Sequence, residues 1–239
     1  MDYKLISNPG SREINEDSAA VFKKGNSALF VLADGLGGHG RGEVASAMFT
    51  ETAGELFEAE PEAEDLIERI FEEGQRRILA RQEEEHARNE LKTTGVVLLV
   101  RNGSCQWGHV GDSRLYHFRS GKLQRRTLDH SVPQMLVSAG ELRESKIRSH
   151  PDRNRLLRVL GTEWETPAYV IAEPAAAEGG EAFLLCSDGF WELILEKEMQ
   201  KLLQRSGTAE EWLEAMNGIV QKRGIKKDMD NNTAIALRL

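Results

Sequence analysis

Between residues 94 and 127, four short apolar segments follow one another almost without pause, with Asn102-Gly103 and Ser120-Gly121 at two of the joints. Asn-Gly takes up the positive φ angles of a two-residue hairpin, and Ser-Gly does similar work. Parallel strands need a crossover of about a dozen residues or more, for which this stretch has no room. It is therefore expected to form consecutive antiparallel strands at 94–100, 104–110, 114–119 and 122–127. The same signature, runs of Val, Leu, Ile and aromatics bounded by Gly, Asn, Asp or Ser, marks strands at 3–7, 18–22, 28–33, 168–172, 182–186 and 233–239. Apolar spacing changes to a helical period in three places. Residues 43–57 align Val44, Ala47, Met48 and Leu56. Residues 62–88 align Leu66, Ile67, Ile70, Phe71, Ile78 and Leu79, and residues 209–223 align Trp212, Leu213, Met216, Ile219 and Val220. Two early helices, a central run of strands, and a late helix before a final strand point to an α+β domain whose helices cover the outer faces of sheets. The stretch 175–180 reads as a surface loop.

Several classes are excluded by what is missing. The longest unbroken apolar stretch, 28–33, is far short of the roughly 20 residues that span a membrane. Met1-Asp2-Tyr3-Lys4 shows no secretory pattern. The only cysteines, Cys105 and Cys186, are too few for a disulfide framework and too distant in sequence for a zinc knuckle. A cytoplasmic protein with no membrane partner is expected. The net charge of −8 is accounted for by residues 51–90, which carry 14 acidic and 5 basic side chains, so the rest is nearly neutral. With no basic stripe, nucleic acid is not an expected partner.

The chemistry lies in where the aspartates fall. Asp34 follows the apolar run 29–33 and precedes Gly35; Asp188 follows 183–187 and precedes Gly189. Asp112 follows His109-Val110-Gly111, and Asp230 precedes Asn231-Asn232 and the last strand. One such Asp is ordinarily a turn former or helix cap. Four at strand ends, if they converge, are costly unless a cation neutralises them. Oxygen ligands without His or Cys spacing favour Mg²⁺ or Mn²⁺ over zinc. Two such ions sharing a carboxylate can activate water and hold a phosphoryl oxygen. Competing motifs fail. Gly35-Leu36-Gly37-Gly38-His39-Gly40 matches a dinucleotide fingerprint, but Asp34 would face the pyrophosphate and no second strand with an acidic end follows. Asp228-Met229-Asp230 opens like a calcium loop, yet Thr233 stands where Gly is required and Leu239 where Glu is. The same residues resemble an aspartyl-phosphate motif, but lack a preceding apolar strand. Cys186 lacks the nearby Arg of a cysteine phosphatase and reads as a small buried residue.

Seven ordered motifs now resemble one family: Arg12-Glu13-Ile14-Asn15-Glu16-Asp17, Ala33-Asp34-Gly35-Leu36-Gly37-Gly38-His39, Thr93-Thr94-Gly95, Gly108-His109-Val110-Gly111-Asp112-Ser113-Arg114, Asp129-His130-Ser131, Cys186-Ser187-Asp188-Gly189 and Asp230-Asn231-Asn232-Thr233. In that order they are similar to the metal-dependent type 2C (PPM) protein phosphatases, in the bacterial form of the glycine loop, from about residue 7 to the C-terminus. The resemblance implies a single domain over 1–239, built as a four-layer α-β-β-α sandwich with two antiparallel sheets and a variable flap at about 132–166. It implies two Mn²⁺ or Mg²⁺ ions and hydrolysis of phosphoserine and phosphothreonine in proteins by a metal-activated water. By similarity Asp34 bridges both ions, the Gly35 carbonyl binds one, and Asp188 and Asp230 bind the other. Asp17, with Glu16, holds metal-bound waters; Asp112, with Asp188, matches a third and weaker site; Arg12 matches the phosphate-binding arginine.

The residues agree with these roles on their own chemistry. A guanidinium fork meets phosphate oxygens bidentately, as a lysine cannot, against the plain alternative of a surface arginine. His39 is either the acid that protonates the leaving alkoxide or a histidine hydrogen-bonding within the glycine loop. His109 reads as a packed strand residue. Asn231 is expected to orient Asp230 or cap its turn. Arg143, Lys146, Arg148, Arg153, Arg155 and Arg158 make the flap locally basic, either for acidic or phosphorylated substrates or simply as a solvated loop with a short helix. A Ser/Thr kinase and its targets are the partners the family implies, with a monomeric enzyme. A non-catalytic binding module on the same fold would lack a ligand or the phosphate arginine, and neither is missing here.

Overall fold

The computed structural model describes residues 1–36, 41–87, 90–177, 179–225 and 228–239. The chain opens with β1 (Asp2–Asn8), β2 (Asp17–Lys24) and β3 (Ser27–Asp34), followed by helices α1 (Gly42–Ala59) and α2 (Leu66–Glu84). Four strands then run in succession, β4 (Gly95–Arg101), β5 (Ser104–Val110), β6 (Arg114–Arg119) and β7 (Lys122–Arg126), but as two hairpins in different sheets rather than the one antiparallel sheet their spacing suggests. After α3 (Val132–Ser138), a 3-10 turn at Glu144–Ser149 and the short strands β8 (Val170–Ile171) and β9 (Ala175–Ala176) comes β10 (Glu181–Cys186). Helices α4 (Asp188–Trp191), α5 (Glu196–Leu203) and α6 (Ala209–Gly224) precede β11 (Asn232–Arg238).

The strands form two antiparallel sheets, ordered β1-β11-β10-β6-β7 and β2-β3-β4-β5-β8, with β9 also on β5. Period-2 alternation explains why the inner strands β3, β4 and β10 are apolar almost throughout: each buries both faces, whereas the edge strands β1 and β7 are partly exposed. In β3, Leu29, Val31 and Ala33 pack with Phe49, Phe57, Ile70 and Phe71 from the first helical layer. The intervening Phe30 and Leu32 pack with Phe183, Leu185, Ile235 and Leu237 of the opposite sheet. The outer face of that second sheet, through Tyr116, Phe118, Leu184 and Ala236, is covered by Met199, Trp212, Met216 and Val220 of α5 and α6. These three apolar seams are the spaces between four layers, α-β-β-α.

Three segments differ from the sequence expectation. The strand expected over 168–172 holds only two paired residues, and its pairing on β5 resumes at Ala175–Ala176, inside the stretch read as a loop. Pro174 sits between the two pieces and has no N–H for the ladder. The helix expected over 62–88 begins only at Leu66 and ends at Glu84, where a turn takes His86 to φ 55°. Helices α3, α4 and α5 are too short for a helical period to emerge from the sequence.

The chain changes sheets between β1 and β2 and again between β5 and β6. The second change takes only Gly111-Asp112-Ser113, and Gly111 makes it with φ 96°. These crossovers, with the C-terminal ends of β3 and β10 and the start of β11, converge at one end of the sandwich.

Candidate active site

At that end lies a cavity of about 880 Å³ whose lining includes Arg12, Glu16, Asp34, Gly35, Asp112, Asp188, Asp230 and Asn231. Eight of the sequence-predicted site residues are thus brought together from both sheets. Asp17 stands behind them, buried, opposite Asp34 in the β2–β3 register. His39 lies outside the described residues.

Each carboxylate is held by its own local device. The Asp34 N–H donates to Thr94 Oγ1 (3.0 Å), while its carbonyl accepts from the Thr94 N–H and the Thr93 hydroxyl, each at 2.9 Å. The adjacent pair Thr93-Thr94 therefore clamps the end of β3. Asp188 opens α4, and Gly189 beside it lies against the Asp230-Asn231 turn: a Cβ there would sit 2.1 Å from the Asn231 carbonyl oxygen. No other residue type fits that approach. The Asp230 carboxylate accepts from the Asn231 N–H (2.9 Å) and from Arg12 Nη2 (3.0 Å).

The Asn231 side chain does not reach Asp230. Its Nδ2 donates to the carbonyls of Pro9 (2.9 Å) and Ile14 (3.0 Å), and its Oδ1 accepts from the Glu16 N–H (2.9 Å). It ties down both ends of the β1–β2 crossover that carries Arg12. The expected influence on Asp230 comes through the Asn231 backbone instead.

Two supporting residues stand in the quoted motifs with no role assigned to them from sequence. Ser187, fully buried, donates its hydroxyl to Asp17 Oδ2 (2.8 Å) and accepts from the Thr233 N–H (3.0 Å), which ties β2 to β11 behind the cavity. The signs in the sequence were its place in the Cys186-Ser187-Asp188-Gly189 motif and between the apolar run of β10 and Asp188. Arg114 grips Asp129 through two buried bonds of 2.7 and 2.6 Å and stacks 3.4 Å over Trp191, whose indole N–H donates to the Asp112 carbonyl (3.0 Å). That chain joins the Gly111-Asp112-Ser113 crossover to α4. In sequence its members, 112, 114, 129 and 191, are dispersed and of types that have ordinary structural uses.

Crowding dominates the electrostatics. Burial, followed by the charges of Asp17, Asp188, Asp112 and Asp230, drives the Asp34 carboxyl well above its usual range. Asp188 is raised likewise, by burial and then chiefly by Asp112. Burial pushes Asp112 up to about 7, and Asp17 up to about 6 despite the opposing hydrogen bonds from Thr233 and Ser187. Among the described residues two cations line the cavity, Arg12 and Lys92, and Arg12 engages Asp230 at the rim, while Arg114 acts on Asp112 from behind. Burying several carboxylates this way is costly unless they are protonated or neutralised by bound cations.

The residues fit a divalent cation. Asp17 Oδ1 is buried without a hydrogen-bond partner, and the cavity lining offers oxygen donors and neither His nor Cys. Such a donor set selects a hard ion. Among the described residues no three His, Cys, Asp or Glu side chains form a ready cage. An ion here would take one or two carboxylates and complete its shell with carbonyl oxygen and water, the habit of Mg²⁺.

Fold and site together define a four-layer sandwich with a carboxylate-lined cavity, of oxygen donors suited to divalent cations, between the ends of its two sheets. A sequence profile of the protein phosphatase 2C family matches residues 7–232. A serine/threonine phosphatase, Stp, of Listeria monocytogenes is 34% identical over 209 residues, covering 84% of this chain and 81% of that one. The crystal structure of the serine/threonine phosphatase PstP/Ppp of Mycobacterium tuberculosis superposes with a TM-score of 0.85 at 31% identity, over 99% of this chain and 97% of that one. The PstP catalytic domain in complex with two manganese ions superposes at 0.81 with 29% identity, over 98% and 96% of the two chains. The chain belongs to the protein phosphatase 2C family.

Proposed function

We propose that this chain hydrolyses phosphoserine and phosphothreonine in proteins, at the cavity between its sheet ends, in dependence on Mn²⁺ or Mg²⁺. The observation that carries this reading is the convergence of Asp34, Asp188, Asp112 and Asp230 on one cavity with Arg12 at its rim. Asp34 and the Gly35 carbonyl would hold one ion, Asp188 and Asp230 together with Asp34 would hold the other, and Asp112 with Asp188 would hold a third. Asp17 and Glu16 would accept hydrogen bonds from water around bound ions. When bound, the ions supply Lewis acidity toward a phosphoryl oxygen and toward water.

The protein's own groups do the rest. Arg12, held by Asp230 and by the Asn231 bonds to its loop, offers its guanidinium to the equatorial phosphate oxygens, where charge must be neutralised. Water adds at phosphorus in line, the P–O bond to the serine or threonine breaks, and that oxygen needs a proton. His39 is our candidate donor. Since water is the nucleophile, no phosphorylated side chain is required, which agrees with Cys186 being fully buried. No helix among the described residues is long and apolar enough to cross a membrane. We read the protein as a cytoplasmic monomer acting on a Ser/Thr kinase and that kinase's targets.

The test is phosphate release from a phosphothreonine peptide. Release is expected with Mn²⁺, is expected to stop on chelation, and is expected to return on re-addition. Asp34→Ala or Asp188→Ala should cost more than the roughly 10–100-fold typical of a residue behind the ligands. Full activity in either variant contradicts the assignment.

A further inference from the structure

Nine large apolar side chains are exposed among the described residues, and four of them, Leu128, Met135, Leu157 and Val170, line a single second cavity of about 670 Å³. They are 46–55% exposed and come from separate places: the end of the β7 connection, α3, the flap and β8. Deeper in the lining Trp107 stands with the polar His109, Asp129, Ser131 and Gln134, and a concentration of exposed apolar side chains of this kind marks a binding surface more often than scattered exposure does. The cavity is not isolated from the chemistry. Leu157 also lines the carboxylate cavity. Its N–H donates to the His130 carbonyl (2.8 Å), so the wall between the two spaces is a single segment of flap pinned to the domain.

Charge at the second cavity runs opposite to that of the molecule. The chain carries −8 overall, yet two arginines at this edge, Arg125 and Arg158, are exposed and make no ion pair with a described residue. Arg125 lies 4.4 Å from the ring of Trp107 in the cavity floor. The neighbouring Arg126 is committed to Glu144 and Gln134. Of the six basic flap residues, Arg148 and Arg153 are likewise committed, to Glu196 and Glu192. The available positive charge near the flap is thus partly used to fasten it, and part of what remains borders the apolar groove.

We propose that this groove is a docking site for the segment of a phosphoprotein substrate that flanks the phosphorylated residue, and that it selects apolar side chains accompanied by acidic ones. The proposal rests on the phosphatase reading for the identity of its occupant. A peptide with its phosphate in the carboxylate cavity crosses Leu157 and, at roughly 3.3 Å per extended residue, reaches the groove within a few residues. Apolar anchoring there supplies affinity, while Arg125 and Arg158 supply preference for acidic neighbours.

The experiment compares three substrates: a phosphothreonine peptide flanked by Leu and Glu, one flanked by Ser and Gly, and p-nitrophenyl phosphate. The wild type is expected to show a KM about 10-fold lower or better for the first peptide than for the second, a difference of about 1.4 kcal/mol. Val170→Asp, Met135→Glu and Arg158→Glu, all at exposed positions, are expected to erase that preference and leave p-nitrophenyl phosphate turnover within about two-fold of wild type. Equal KM for both peptides in the wild type overturns the proposal, as does a loss shared equally by all three substrates.

Anisotropy of a labelled, non-phosphorylated Leu/Glu peptide gives a readout independent of turnover. Binding that disappears in Val170→Asp while the wild type turns over no substrate would uphold the groove and refute the phosphatase reading. Normal turnover without peptide binding would do the reverse. Sedimentation in which wild-type copies associate and Val170→Asp does not, with peptide kinetics unchanged, assigns the groove to self-association and overturns the proposal.

Discussion

Asp17, Asp34, Asp112 and Asp188 all hold their protons more tightly in the folded chain than in the unfolded one, where a carboxyl titrates near 3.8. Between about pH 4 and pH 7 the folded state therefore binds more protons, and this group of residues lowers stability as pH rises through that window. A bound divalent cation removes the penalty, so the thermal stabilisation by Mn²⁺ is expected to be larger at pH 7.5 than at pH 5. Asp34→Asn should separate stability from function. Without metal at pH 7.5 it is expected to melt above wild type, by about 2–4 °C for each 1 kcal/mol of relieved repulsion, and to lose activity. Melting below wild type under those conditions would show that Asp34 is already neutralised by something else. At this scale Asp34, Asp112 and Asp188 were legible because each stands at a strand end beside Gly, whereas Asp17 came only from the family resemblance. Ser187 and Thr93-Thr94 appeared within motifs, but their hydrogen-bonding roles were not legible, because a buried hydroxyl has no pattern along the chain.

Elements place those residues by meeting closely at their ends. Helix α4 is only four residues long, and what aims Asp188 is the absence of a side chain at Gly189, which lets the helix start rest on the Asp230-Asn231 turn. Gly189→Ala is expected to cost about 1–3 kcal/mol, the usual range for overpacking a tight contact. Because it spreads two ligand-bearing segments, metal affinity should fall along with the melting temperature. An unchanged melting temperature, read by circular dichroism, would contradict this. The strands were readable where an apolar run stops at a tight turn: β5 and β6 have the predicted limits. The flap was not readable to the same degree. Its order comes from long-range bonds, such as Arg126 to Glu144 and Arg148 to Glu196, and from scattered buried apolar contacts, Ile147 in one core and Leu160 in another. None of these sets a local period.

For the whole molecule, the sandwich is a way of paying once, at one end, for a site whose charges belong to both sheets. Three apolar seams hold the layers in register, and the crossovers at 9–16 and 111–113 carry Arg12 and Asp112 into the same cavity. That convergence is the central claim, and it requires the carboxylates to remain ionised together through bound cations. Calorimetric titration of Mn²⁺ into chelator-stripped protein at pH 7.5 tests it most directly. Saturable binding of at least two ions with release of protons from the crowded carboxyls is expected, and it should be severely weakened in Asp34→Asn. No saturable binding by the wild type, or equal binding by wild type and variant, would contradict the account.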